Sequence, residues 1–112
     1  MRILAFYRPL SDQSETGREI RKITGPDQCF FFHLPHLDSP LPVGSIIKIS
    51  DIAKDVEEAE GFNDGDVWFK VVGIEYEEAK RPYTVLLQLS LESYFDIGLD
   101  ILIKCLYARG KE

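Results

Sequence analysis

The chain has 112 residues, 45% of them apolar and 12% aromatic, which is enough for one domain with its own core and too apolar for a disordered segment. Thirteen Lys and Arg stand against nineteen Asp and Glu, a net charge of −6, and a phosphate backbone rewards the opposite sign, so nucleic acid is not an expected partner. No apolar run approaches the roughly 20 residues needed to cross a bilayer, the opening "MRILAFYRPL" is broken by Arg8 and Pro9 and does not read as a signal peptide, and two cysteines, Cys29 and Cys105, cannot build a disulfide framework. The expectation is a cytoplasmic protein, a single domain over residues 1–112, with reduced and buried thiols.

The first strand is expected at "RILAFYR", Arg2 to Arg8, where Ile3, Ala5 and Tyr7 alternate with Leu4 and Phe6, so that both faces are apolar as in a strand covered on both sides. Pro9 ends it. From Ser11 to Pro26 the residues are polar and interrupted by Gly17, Gly25 and Pro26, which predicts a long surface loop with one helical turn around Glu15 to Ile23. "QCFFFHL" predicts a second strand, closed off by Pro35, Pro40 and Pro42, and "GSIIKIS" a third. In "SDIAKDVEEAEG", Ser50 offers an N-cap, Ile52, Val56 and Ala59 fall at helical spacing, and Gly61 terminates; a short acidic helix is expected there.

Turn chemistry at Asn63 to Asp66 leads into the strongest β signal. Val67 to Tyr76 and Tyr83 to Glu92 are rich in β-branched, aromatic and alternating apolar residues, with Glu77 to Pro82 as polar connector: a long antiparallel hairpin. The final segment, residues 94–108, satisfies both periodicities. Ser93 as a cap with Asp96 behind it, the stripe Asp96, Asp100 and Lys104, and Lys104 and Arg109 at the negative end favour a helix, with Gly98 as its cost. The fold expected is α+β and mostly β: a small curved antiparallel sheet or partly open barrel of about five strands, with a short acidic helix and a C-terminal helix. The alternative is an all-β barrel with the C-terminal segment as a sixth strand. "LPVGSIIKI" followed by "WFKVVGIEY" is a general β pattern that suits small OB-like or SH3-like barrels.

Cys29, His33 and His36 are the only residues with a metal-like combination, with Asp38 as a further ligand. A structural zinc needs four ligands in paired close spacings, and only one such spacing, His-x-x-His, is present, so the stretch reads as a core strand with a rigid exit. No nucleophile elbow, phosphate-cradling glycine loop or calcium-loop spacing occurs, and no catalytic residue or cofactor is expected. The aromatic rings are read as core. The expected function is therefore non-catalytic: an acidic protein-interaction module, of the inhibitor or immunity-factor kind, that meets a basic protein through Asp51, Asp55, Glu57, Glu58, Glu60, Asp64 and Asp66, continuing to Glu75, Glu77 and Glu78. The alternatives are a small-molecule-binding barrel, with an aromatic pocket under residues 9–26 as a lid, and a structural subunit of an assembly. Because apolar residues cover most of a helical wheel over 94–106, a homodimer is expected with Ile97, Ile101, Leu102 and Cys105 near its axis.

Overall fold

The longest β-favouring runs form the longest ladder. In the computed structural model, which describes residues 2–34, 37–49, 56–57, 66–77, 84–94 and 98–109, strand β4 (Val67–Glu77) pairs antiparallel with β5 (Thr84–Tyr94) through ten registered positions, from Val67 opposite Tyr94 to Glu77 opposite Thr84. Two irregularities, between Trp68 and Phe69 and between Val71 and Gly73, insert extra residues into the ladder, and such bulges bend a strand and increase its twist. Three shorter strands complete a curled, half-barrel sheet: β1 (Arg2–Tyr7), β2 (Phe30–His33) and β3 (Ile46–Ile49), in the order β2-β1-β5-β4-β3. Two helices accompany it, α1 (Glu15–Thr24) and α2 (Leu99–Arg109).

The antiparallel expectation holds for three of the four pairings. β1 instead runs parallel to β5, Arg2 opposite Thr84 through Tyr7 opposite Leu89. Parallel neighbours need a crossover, and here everything between the two ends of the chain supplies it. Residue patterning within either strand carries no sign of that partner.

Alternation divides the sheet into two faces. Ile3, Ala5 and Tyr7 of β1, Phe30 and Phe32 of β2, Val67, Phe69 and Val71 of β4, and Val85, Leu87, Leu89 and Leu91 of β5 face one way, and there they meet Ile20 of α1 and Leu102, Ile103, Cys105 and Leu106 of α2. Tyr7 and Phe69 lie with ring centroids 5.3 Å apart inside this core. The other face carries a smaller cluster, Leu4, Phe6 and Leu86 with Cys29 and Phe31 against it. No described helix packs on that second face.

Residues 15–24 correct the loop expectation. They form a ten-residue helix, capped by Ser14, whose hydroxyl accepts from the Gly17 amide at 3.0 Å, with Glu15 in the first turn, Arg21 and Lys22 in the last, and Gly25 at φ 93° beyond the end. Arg21 donates to the carbonyls of Pro9 and Leu10. Asp12, 2% exposed, ties the segment to the sheet: one carboxylate oxygen accepts from the Tyr7 hydroxyl at 2.7 Å and the Leu91 amide at 3.3 Å, the other from the Ser14 amide at 3.0 Å. Leu91 lies two residues past Leu89, the last β5 position paired to β1, so Asp12 supplies the acceptor that β1 no longer reaches.

The C-terminal segment is helical, as the charge cues indicate, but it starts at Leu99. Ser93 is not its cap; it belongs to β5, opposite Trp68. The Gly98 carbonyl accepts from the amides of Ile101 and Leu102 at 3.1 and 3.0 Å, which puts Gly98 at the cap rather than in the helix interior, where glycine costs little. The acidic helix expected over residues 51–61 lies outside the described residues, except for buried Val56 and exposed Glu57. Among the described residues no helix is long and apolar enough to cross a membrane.

Candidate binding surface

The face of the sheet away from the helices is built by the residues that alternate out of the core, and the strand registers arrange them in rows. Arg2, Thr84 and Glu77 form one row across β1, β5 and β4; His33, Leu4, Leu86 and Glu75 form the next, beginning on β2. The third is Phe31, Phe6, Gln88 and Gly73. These rows bound a cleft of about 300 Å³. Its floor of Leu4, Phe6, Thr84 and Leu86 is buried, whereas Arg2, His33 and Glu75 on its rim are exposed. Arg8 closes the aromatic end, its guanidinium carbon 5.5 Å from the Phe6 ring centroid, and Phe6 stands 6.3 Å from Phe31.

The cleft is bipolar. Arg2 and His33 line the β1–β2 side and Glu75 and Glu77 the β4 side. Neighbouring strands lie about 4.8 Å apart, so Arg2 and Glu77, two strands apart, are separated by about 10 Å at the backbone, and His33 and Glu75, three strands apart, by about 14 Å. Among the described residues no ion pair joins Arg2, His33 or Glu75 to another side chain.

At the far end the same face is apolar and exposed. Ile46 of β3 and Trp68 and Val72 of β4 are all open to solvent, Trp68 at 38%. Lys48 and Lys70 alternate among them, with the Lys48 ammonium 5.5 Å from the Trp68 ring centroid, within reach of a cation–π contact. Residues 51–66, which follow β3 and precede β4 in the chain, hold seven acidic side chains and one lysine, a net −6 that equals the charge of the whole chain. The remainder of the protein is neutral, so its acidity is local.

The residues singled out from sequence fare unequally. Cys29 and His33 point to the same outer face, but with Phe31 between them on an extended chain they stand roughly 13 Å apart, against metal bonds of about 2.0 to 2.3 Å; Asp38 is exposed and His36 lies outside the described residues. Among the described residues no three His, Cys, Asp or Glu side chains form a group that could hold a metal ion. Of the acidic partner-binding set, Glu57 is exposed and Asp66 half-buried, while Asp51, Asp55, Glu58, Glu60 and Asp64 lie outside the described residues. Of the self-association set, Leu102 and Cys105 are fully buried in the core and Ile101 packs partly against it, with Ile97 outside the described residues. Leu102, Ile103, Cys105 and Leu106 of α2 belong to the buried core.

Sequence reasoning passed over the cleft. Its signal was available in "RILAFYR", where Arg2, Leu4, Phe6 and Arg8 share one face with a charge at each end. A strand covered by a helix on both sides would not end its second face that way. Tyr7 is a perturbed group: burial, and then the bond to the Asp12 carboxylate, hold its phenol protonated well above its ordinary range. Both Asp12 oxygens are occupied by donors from the fold and the pair is sealed in the core, so its work is structural. No protein-family model, curated protein or solved structure matches this chain.

Proposed function

We propose that the protein is a non-catalytic interaction module that binds a protein partner through the helix-free face of its sheet, in a reducing, cytoplasmic setting. The observation that carries this reading is the exposed strip of Ile46, Trp68 and Val72 on β3 and β4, the two strands whose connecting segment holds the entire net charge of the chain. An aromatic anchor bordered by charge is the arrangement in which a few residues supply most of the binding energy and the surrounding charge sets approach and orientation. The acidic segment suits a partner with a basic surface beside an apolar patch, and Lys48 and Lys70 exclude a second positive charge from the anchor itself.

Affinity capture tests this with paired variants. A partner held by the wild-type chain is expected to be lost with Trp68→Ala and to associate more slowly as salt is raised. Replacing Glu57, Glu58 and Glu60 with Gln is expected to reproduce the salt effect on the association rate and leave dissociation nearly unchanged. A partner retained equally by all variants contradicts the reading.

A further inference from the structure

The strip of Ile46, Trp68 and Val72 borders a sheet edge, because β3 ends the strand order and, among the described strands, pairs with β4 alone. We infer that the free edge of β3 is a docking site for an extended segment of the partner, which adds to the sheet as a further strand and places an acidic side chain beside Lys48. The inference rests on the protein-partner reading and names the element that the partner supplies.

Three observations carry it. First, the turn that leads into β3 fixes which backbone groups face outward. The Ser45 amide donates to the Pro42 carbonyl at 3.1 Å and Gly44 has φ 99°, as the third position of a type II turn requires. The Gly44 amide donates to the Val71 carbonyl at 2.8 Å and the Val71 amide to the Ser45 carbonyl at 2.9 Å, so two residues oppose one in a glycine bulge. Bonded and non-bonded positions alternate from there along the antiparallel pair. Ile47 and Ile49 therefore bond to β4, while the N–H and C=O groups of Ile46 and Lys48 point away from it. Among the described residues no hydrogen bond reaches that outer edge.

Second, the side chains at the same two positions are exposed and continue the strip, Ile46 opposite Lys70 and Lys48 opposite Trp68. An added strand sets one residue beside Ile46 and its next same-face residue beside Lys48, and such cross-strand pairs are the unit of sheet stabilisation. Third, Lys48 selects the charge of that strand. Its ammonium lies 5.5 Å from the Trp68 ring centroid and has no ion pair among the described residues. A lysine on an edge discourages indiscriminate pairing, and a carboxylate opposite turns it into an attractive contact.

A second copy of the chain fits less well. Pairing two β3 strands would bring together two segments of net −6, each beginning two residues past Ile49, and like charges at one junction oppose association.

The test is an amide NMR titration of isotope-labelled protein with the blocked pentapeptide acetyl-Val-Thr-Glu-Thr-Val-amide and with its central Gln and Lys counterparts. This peptide presents an apolar residue two positions from the acid in either strand direction. The Glu peptide is expected to give saturable shifts centred on β3, the Gln peptide to bind about two- to fivefold more weakly, and the Lys peptide not to saturate. Lys48→Glu should reverse the order of the Glu and Lys peptides. Lys48→Thr removes the charge alone, whereas Lys48→Pro also removes an outward N–H without touching the β3–β4 bonds; the Pro variant should keep the wild-type spectrum elsewhere and lose the Glu peptide. Absence of saturable binding by the Glu peptide overturns the inference, as does equal binding of the three peptides, or a doubled mass by light scattering that Lys48→Pro halves. A captured partner lost with Trp68→Ala but kept by Lys48→Pro refutes strand addition and leaves the surface reading standing; a partner kept by both variants refutes both.

Discussion

Gly17 lies inside α1, where helix propensity alone says that alanine should stabilise the protein by about 1 kcal/mol. The structure reverses that sign. A Cβ added at Gly17 would lie 2.5 Å from Cγ, 2.6 Å from Cβ and 2.8 Å from Oδ2 of Asp12, closer than non-bonded carbons approach. The neighbour is not a flexible tip that can swing aside, because Asp12 is buried and accepts from Tyr7, Leu91 and Ser14. Displacing it takes the acceptor from two buried donors, the Tyr7 hydroxyl and the Leu91 amide, at about 1 to 3 kcal/mol each. Set against the propensity gain of about 1 kcal/mol, the net loss for Gly17→Ala is about 1 to 5 kcal/mol. Urea unfolding followed by the single tryptophan should show the midpoint falling with the slope unchanged. The decisive control is Asp12→Gly, which removes the atoms in the way: in that background Gly17→Ala should become neutral or stabilising, a coupling that independent sites do not show. A wild-type-like or higher midpoint for Gly17→Ala alone would refute the reasoning.

Two further outcomes follow from the core. The folded Tyr7 phenol keeps its proton to higher pH than the unfolded one, so above about pH 10 the folded state binds more protons and stability falls as pH rises; alkaline absorbance titration should show one of the five tyrosines ionising only with unfolding, and Tyr7→Phe should remove that component. Leu102→Ala opens a cavity in a fully buried site and is expected to cost about 2 to 5 kcal/mol without changing the mass of the folded species by light scattering, whereas a shift from dimer to stable monomer would return α2 to the role of an interface.

What the sequence revealed follows from the range of the interaction that fixes each element. The β4–β5 hairpin was legible because its pattern and its partner are neighbours in the chain. α2 was legible because the placement of charge broke the tie between two periodicities, though its start was misplaced by taking Ser93 as the cap and Gly98 as interior, when Ser93 belongs to β5 and Gly98 is the cap. α1 was obscured by Gly17, which reads locally as a breaker. Its reason for being there is Asp12, five residues away, which leaves no room for a side chain. The local signals, Ser14 before Glu15 and basic residues before Gly25, were all present. The parallel pairing of β1 with β5 joins the two ends of the chain and leaves no local trace. The cleft depends on that pairing, because Arg2 and Glu75 come to opposite sides of one floor only when β1 and β4 flank β5.

In the proposed function the helix-covered face is scaffold and the helix-free face is the working surface. The most direct test of that division places a photo-crosslinking residue at position 68 in one protein and at position 107, on the exposed side of α2, in another, each expressed in the cells that naturally make the chain. A discrete crosslinked protein from position 68 and none from position 107 is the result expected; adducts from position 107 alone, or from neither, would contradict it.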